Sequence, residues 1–201
     1  MQIITGNSSE FSADLEIAIA EYRHKIFIER LGWPLPSKNG VERDQFDRAD
    51  TVYVVVRNKN NEICGCARLL PTTKPYLLGE VFPFLLPKQS IPHSSDVWEL
   101  SRFAATHVAN TSESPLNASI ATQRLLAASI TSAAQHGAKR LITVSPIGVE
   151  RLLHRMGVNA HRASPPATVQ GESIFACWIE IDDQTLHALD INTARVDSHS
   201  H

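Results

Sequence analysis

Net charge is the first thing this chain lacks. Its 201 residues hold 19 Lys and Arg against 21 Asp and Glu, a balance of −2. A general nucleic-acid binder is basic overall, so that class is excluded as a first reading. Long apolar runs are also missing, and none approaches the ~20 residues that a membrane-spanning helix needs. The opening Met1-Gln2-Ile3-Ile4-Thr5-Gly6 has neither the basic start nor the apolar stretch of a secretory signal. We therefore expect a cytoplasmic protein with no membrane partner. Cysteine is scarce and odd in number: Cys64, Cys66 and Cys177. That pattern suits reduced thiols rather than a disulfide framework, and no second pair of ligands accompanies Cys64 and Cys66 to suggest a metal. Internal repeats and linkers are absent too, so we expect one domain over residues 1–201, large enough to bury roughly 70% of its unfolded surface.

What is present reads as alternating strands and helices. Met1–Thr5 predicts a first strand. Ser12 is a candidate N-cap for a helix in which Leu15, Ile19, Tyr22 and Ile26 recur at helical spacing to about Arg30, with Gly32 and Pro34 as its stop. Residues 32–50 read as a long polar loop, a length that is usually functional or disordered in a compact domain; Trp33 and Phe46 argue against disorder. Thr51–Arg57 and Glu62–Leu70 predict a hairpin around Asn58-Lys59-Asn60-Asn61. Residues 71–92 are rich in proline, with a possible short helix at Leu77–Leu86. Strands are expected at Asp96–Ala105, Arg140–Ser145, Gly157–His161 and Ser173–Ile181, and helices at Leu116–Gln135, Ile147–Met156 and after the last strand. A hairpin followed by strand–helix–strand–helix–strand predicts an α/β fold, a three-layer α/β/α sandwich around a mixed sheet.

Charged residues recur at the edges of these apolar segments. Arg23-x3-Phe27-x5-Trp33 is followed by Asp44-x2-Asp47, by Arg68, and by Glu99-x2-Arg102. Buried charges are costly unless paired, so such a set implies convergence in a cleft. Each member alone has a plainer reading: Arg23 as a surface helix residue, Glu99–Arg102 as a structural ion pair. Asp44, Asp47 and Asp50 could be a solvated turn, and a calcium loop is excluded by the missing glycine and glutamate at its sixth and twelfth positions. It is the joint arrangement that favours a site.

These eight positions, in this order and spacing, resemble the acyl-homoserine-lactone synthases of the quorum-sensing autoinducer type. The match covers about the first 105 residues. The resemblance implies a sheet like that of the N-acetyltransferases, opened into a V-shaped cleft. It implies an acyltransferase that joins the amine of S-adenosylmethionine to a fatty acyl group carried by acyl carrier protein, then closes the lactone and releases methylthioadenosine. No cofactor is expected, because S-adenosylmethionine is a substrate, and no metal. Glu99, Arg102 and Asp47 are the expected catalytic residues, with Glu99 as proton acceptor. Arg23, Phe27, Trp33, Asp44, Arg68, Ser101, Phe103 and Thr143 are expected to bind substrate. Both charge signs suit a ligand carrying ammonium, carboxylate and sulfonium, and Phe27 and Trp33 suit its adenine and sulfur. Which acid meets the ligand and which only holds an arginine stays open at this stage. A threonine at the place of Thr143 often accompanies a 3-oxo acyl group in the family, and a chain of about eight carbons is the expected length.

Acyl carrier protein is acidic, and one stretch of this chain is strongly basic. Between Arg124 and Arg162 stand six basic residues and the single acid Glu150. Arg151 and Arg155, four apart on one helical face, are the candidate docking pair, against the plainer reading of a solvated helix face. Leu100, Leu125, Ile142, Val144, Leu152 and Trp178 are candidates for the acyl pocket, each individually better read as core. Two rival enzymes fare worse. A coenzyme A acetyltransferase wants a glycine-bearing phosphate loop, and Gln123-Arg124-Leu125-Leu126-Ala127-Ala128 has no glycine. A common methyltransferase wants a Gly-x-Gly turn after the first strand, and none follows. A non-catalytic domain that merely binds the ligand is the third alternative.

Overall fold

The structure, a computed structural model, describes residues 1–105 and 115–192. Its strands are β1 (Gln2–Asn7), β2 (Ser37–Lys38), β3 (Val41–Glu42), β4 (Val52–Arg57), β5 (Ile63–Pro71), β6 (Val97–Ala104), β7 (Arg140–Pro146), β8 (Ala160–Arg162), β9 (Ala167–Val169) and β10 (Glu172–Glu180). Its helices are α1 (Ala13–Arg23), α2 (Leu77–Val81), α3 (Pro115–Gln135), α4 (Ile147–Arg155) and α5 (Asp183–Ala188). The main sheet runs in the order β1-β4-β5-β6-β7-β10-β8, with β9 beside β10. It is mixed: β1–β4, β7–β10 and β10–β8 are antiparallel, whereas β6–β7 is parallel, the pairing that requires a crossover such as α3. This is the expected mixed sheet flanked by helices.

By its internal contacts the chain divides into two compact units. The first takes Met1–Arg68 and the described part of Arg102–Ala128; the second takes Leu69–Ser101 and the described residues from Ser129 onward. Strands β5 and β6 each contribute to both.

In the first unit, Val52–Val56 is wholly buried, a run of four valines and Tyr53 that fits a strand covered on both faces. The Ser12 side chain caps α1 by accepting from the Leu15 N–H at 3.3 Å, with Asp14 and Glu16 in the first turn. Ile19 of α1 packs on Tyr53 and Val55, and Tyr22, Ile26 and Phe27 pack around Cys66. The helical periodicity does continue to Arg30, but from His24 onward the turns widen into a π-helix. Leu31 donates to Ile26 O at 3.0 Å and Trp33 to Phe27 O at 2.9 Å, while Gly32 takes φ +68°, the left-handed terminator that glycine supplies without strain. Single π turns cluster at functional positions, and this one sets Phe27 and Trp33 together.

The stretch expected as a bare loop, 32–50, contains a hairpin instead. Ser37–Lys38 pairs with Val41–Glu42 through Asn39-Gly40, both at positive φ. Asn-Gly is the two-residue turn that such a hairpin prefers, a signal the pattern reading passed over.

In the second unit, β7 and β10 pair antiparallel from Ile174↔Pro146 to Glu180↔Arg140. The predicted strand at Gly157–His161 lies at Ala160–Arg162, and β9 was not foreseen. The expected helix Leu77–Leu86 is α2 followed by a 3-10 turn at Pro83–Leu85, because Pro83 cannot continue the hydrogen-bond ladder. Among the described residues, no helix is long and apolar enough to cross a membrane, and no cluster of His, Cys, Asp or Glu could hold a metal ion. His199 and His201 of the polar tail lie outside the described residues.

Candidate functional site

Three arginines and three carboxylates of the first unit close into a buried ring. Arg23 leaves the last turn of α1, Glu42 ends β3, Asp44 and Asp47 follow in the next turn, Arg68 comes from β5 and Arg102 from β6. Arg23 Nε donates to Glu42 Oε2 at 2.6 Å and its Nη1 to Asp47 Oδ1 at 2.7 Å. Arg68 Nη1 is shared between Asp44 Oδ1 at 2.6 Å and Asp47 Oδ1 at 2.8 Å. Arg102 Nη2 returns to Glu42 Oε1 at 2.9 Å and Asp44 Oδ2 at 2.8 Å, and its Nε to Glu42 Oε2 at 3.1 Å. Tyr53 adds its hydroxyl, which donates to Asp47 and accepts from Arg23 Nη1. Solvent reaches almost none of it: Arg23 is 1% exposed, Arg68 and Glu42 0%.

The loop that carries the acids is shaped to deliver them. Asp47 Oδ2 accepts from the Asp44 N–H at 2.8 Å, and Asp44 Oδ1 from the Phe46 N–H at 2.9 Å. Thr51 closes the turn, donating to Phe46 O and accepting from the Arg48 N–H. Short polar side chains that bond backbone two or three residues away are what fix such turns.

Burial alone would push the Asp47 and Glu42 carboxyls up. For Asp47 the charges and hydrogen bonds of Arg23 and the charge of Arg68 outweigh it; for Glu42 those of Arg102 and Arg23 do. Both carboxyls are held below the usual carboxylate range. Glu42, Asp44 and Asp47 each hold arginines. Glu42 was not among the expected site residues, yet it grips two of the three guanidiniums. One signal could have found it. It stands two residues before Asp44 in the same acidic stretch, whereas Glu99, counted with Asp44 and Asp47 as the third acid, accepts from the Leu77 and Leu78 N–H groups instead.

Two further features mark this unit. Phe27 and Trp33 stack with ring centroids 5.1 Å apart, and the Arg102 guanidinium lies 5.8 Å from the Phe27 centroid. Trp33 is half-buried, so the stack has a face toward solvent. Arg102 itself takes φ +51°, a left-handed conformation rare in a non-glycine residue and typical of strained positions at sites. Its ion pairs and the Cys66 thiol, which donates to Arg102 O at 3.4 Å, hold it there. Burial pushes the Cys66 thiol up to about 12, so it stays protonated at neutral pH. Finally, Arg23 Nη2 is buried with no hydrogen-bond partner. A hollow of about 10 Å³, room for about one water, lies against Arg23, Asp47, Tyr53, Glu16 and Arg43, and neither Phe27 nor Trp33 lines it.

The second unit holds most of the remaining expected residues. Glu99 is fully buried in β6; its carboxylate accepts from the backbone N–H groups of Leu77 at 3.0 Å and Leu78 at 2.6 Å. Tyr76, next in line, is anchored by its hydroxyl to Pro92 O at 2.7 Å. The parallel ladder between β6 and β7 runs from Val97↔Arg140 to Glu99↔Ile142, and Ser101 and Thr143 come just after it. Both are buried, and Thr143 Oγ1 shares a 3.2 Å hydrogen bond with Ser145 Oγ. Leu100, Ile142 and Trp178 are core residues and Val144 and Leu152 half-buried, whereas Leu125 packs in the first unit beside Gly65. Phe103, half-buried, also belongs to the first unit.

The basic stretch is thinner than its composition suggested. Lys139 pairs with Asp96, Arg140 with Glu180 while lying 3.8 Å over the Trp178 ring, and Arg162 with Glu150. Arg151 and Arg155 are exposed on α4 and, among the described residues, carry no ion pair.

Comparison with known proteins agrees with this architecture. The sequence pattern of the autoinducer synthase family matches residues 9–189. An acyl-homoserine-lactone synthase of Acinetobacter nosocomialis is 49% identical over 183 residues, covering 90% of this chain and all of the relative. One of Ralstonia nicotianae is 47% identical over 198 residues, 98% of this chain and 97% of that protein. The crystal structure of TofI in a ternary complex with an inhibitor and MTA superposes with a TM-score of 0.85 at 47% identity, covering 97% of this chain and all of that one. BjaI, a CoA-dependent acyl-homoserine lactone synthase solved with SAM and isopentyl-CoA, gives 0.80 at 28% identity over 96% and 87%. A putative N-acetyltransferase from Lactobacillus plantarum shares the fold, with a TM-score of 0.59 at 14% identity over 90% of this chain and all of that one.

Proposed function

We propose a course of reaction for this chain, which belongs to the autoinducer synthase family and is an acyl-homoserine-lactone synthase, an acyltransferase. S-adenosylmethionine is the acyl acceptor. The observation that carries this reading is Arg23 Nη2, a guanidinium nitrogen buried without a hydrogen-bond partner although the Nε and Nη1 of the same group are paired. An unsatisfied buried donor is costly, and the adjoining hollow, with room for about one water, lets a ligand carboxylate reach it through a bridging water. The Phe27–Trp33 stack, with Trp33 reachable from solvent, suits the adenine and the sulfonium. TofI was solved with MTA, and BjaI with SAM, which supports the same ligand here.

The donor is an acyl thioester on acyl carrier protein, an acidic partner met transiently by Arg151 and Arg155 of α4. The chain is of medium length, about eight carbons, lodged among the apolar and hydroxyl-bearing residues of β6, β7 and β10. The α-amine attacks the thioester carbonyl, the C–S bond breaks and the carrier leaves as its thiol. A free α-amine has a pKa near 7.7–8.0, so roughly a tenth is neutral at pH 7 and only mild assistance is needed. Glu99, fixed by the N–H groups of Leu77 and Leu78, takes the proton directly or through a water. The backbone N–H groups near Arg102–Ala105 stabilise the oxyanion. The carboxylate oxygen then attacks the γ-carbon, the carbon–sulfur bond breaks, and neutral methylthioadenosine leaves. Catalysis of that closure consists mainly of holding a folded conformer. Because the sulfonium compound is consumed, no cofactor is required, and the reaction belongs in the cytoplasm, where both substrates are made.

The experiment is incubation with S-adenosylmethionine and a panel of acyl carriers and acyl-coenzyme A donors of different length, with lactone and methylthioadenosine read by mass spectrometry. Lactone formed best from octanoyl carrier is the expected result. Better turnover of octanoyl-coenzyme A would replace the carrier reading, and R151E/R155E with an unchanged carrier KM at low salt would remove the docking site. E99Q is expected to lose most of kcat while retaining both substrates; near-normal turnover would reassign that residue.

A further inference from the structure

The ring in the first unit is balanced charge for charge: Arg23, Arg68 and Arg102 against Glu42, Asp44 and Asp47. We propose that Glu42 is a positioning residue that makes this balance, so that the site admits a ligand of net positive charge and lets go of a neutral one. The inference rests on S-adenosylmethionine being the ligand, as argued above. That compound carries an ammonium, a sulfonium and one carboxylate, and is therefore a net cation. Methylthioadenosine is neutral.

Glu42 is suited to the task by its geometry. It is fully buried, so water does not dilute its charge. Oε2 serves Arg23 at 2.6 Å and Arg102 at 3.1 Å, and Oε1 serves Arg102 at 2.9 Å, so one carboxylate fixes two guanidiniums from α1 and β6. The grip on Arg102 also holds the side chain of the one β6 residue whose backbone is left-handed. The Asn39-Gly40 hairpin brings Glu42 there, and a hairpin edge offers little other reason to bury an acid. Remove its charge and three cations face two anions. A cationic ligand is then repelled and a neutral one is not. A purely mechanical role predicts something different, an equal loss for both ligands.

Titration calorimetry of the full chain distinguishes the two. Wild type, E42Q and E42D are titrated separately with S-adenosylmethionine and with methylthioadenosine. E42Q should weaken S-adenosylmethionine about tenfold or more and methylthioadenosine by less than about twofold. E42D, which keeps the charge on a shorter stem, should preserve the ratio of the two affinities even where both fall. Equal losses in E42Q, or none, overturn the proposal. Should E42Q not fold, D44N removes one charge from the same ring and the same ratio is read; an unchanged ratio there overturns the proposal as well. Wild type that binds methylthioadenosine but not S-adenosylmethionine refutes the substrate reading instead, a result the variants cannot mimic.

Discussion

The buried ring of the first unit and the Glu150–Arg162 pair of the second are built from the same two chemical groups under opposite solvation. Arg162 meets Glu150 two-pronged, with N···O distances from 2.6 to 3.0 Å, a geometry as good as any in the ring. Yet Arg162 lies on the surface, whereas Arg68 and Glu42 have no exposure at all. In water an ion pair trades hydration for an attraction of similar size, and its net contribution is small. In the interior each charge has already lost its hydration, so every partner is needed to offset that loss. The lesson is that distance alone does not rank these contacts. The ring is a place where one deletion matters greatly, although replacing the whole ring by apolar residues need not destabilise the fold.

The largest expected effect therefore falls on Asp47, which touches Arg23, Arg68 and Tyr53 at once. D47A leaves two guanidiniums short of a counter-charge and should lower the unfolding free energy by about 3–5 kcal/mol, read by urea denaturation. A loss below about 1 kcal/mol would mean the ring behaves like a surface pair, and the comparison would fail.

Acid offers a second way to press on it. Asp47 and Glu42 have folded pKa values below their ordinary ones, so the folded state binds fewer protons than the unfolded chain does near their unfolded pKa values. Their contribution is thus fully present above about pH 5 and is lost progressively as pH falls through about 4 and below. Stability followed by thermal melts from pH 6 to pH 2 should drop steeply in wild type and less steeply in D47N. Equal slopes would remove Asp47 from the account.

A smaller effect tests the second unit on its own terms, through packing rather than charge. A Cβ added at Gly79 would lie 2.9 Å from Tyr76 Cε1 and 3.4 Å from Ile91 Cγ2. The Tyr76 ring cannot swing freely, since its hydroxyl is tied to Pro92 O at 2.7 Å. G79A should cost about 1–3 kcal/mol by the same denaturation assay, and no cost would show that this segment yields easily. The smallest effect belongs to the exposed pair: E150Q should leave the melting temperature unchanged within error. A clear fall would put solvated and buried ion pairs on a more equal footing than argued here.

Much of this molecule was legible before its structure. The N-cap Ser12, the valine-rich run Val52–Val56 and the Asn-rich turn at 58–61 act through near neighbours, and each element formed where its pattern indicated. Asn58 illustrates the point: its side-chain oxygen accepts from Asn60 and Glu62, a contact contained in five consecutive residues. The π turn after Arg23 was not legible, because a 3.6-residue stripe and a slightly wider one look alike over seven residues. Nor was the small hairpin at 37–42, two short strands whose only local mark is Asn39-Gly40.

At the site, residue identity and residue partnership divide in the same way. Arg23, Asp44, Asp47, Arg68 and Arg102 could be named from the sequence through their type and spacing, as could the Phe27–Trp33 pair. Who holds whom could not, for the contacts span 19 residues from Arg23 to Glu42, 24 from Arg68 to Asp44 and 60 from Arg102 to Glu42. Hydrogen bonding and side-chain alternation act over a few residues, so the sequence by itself determined the strands, the helices and the kinds of groups available. Charges from α1, β3, β5 and β6 meet only after the sheet has formed, so the tertiary structure alone decided that the acids bind arginines, that Glu42 is their centre, and that Arg23 Nη2 is buried without a hydrogen-bond partner.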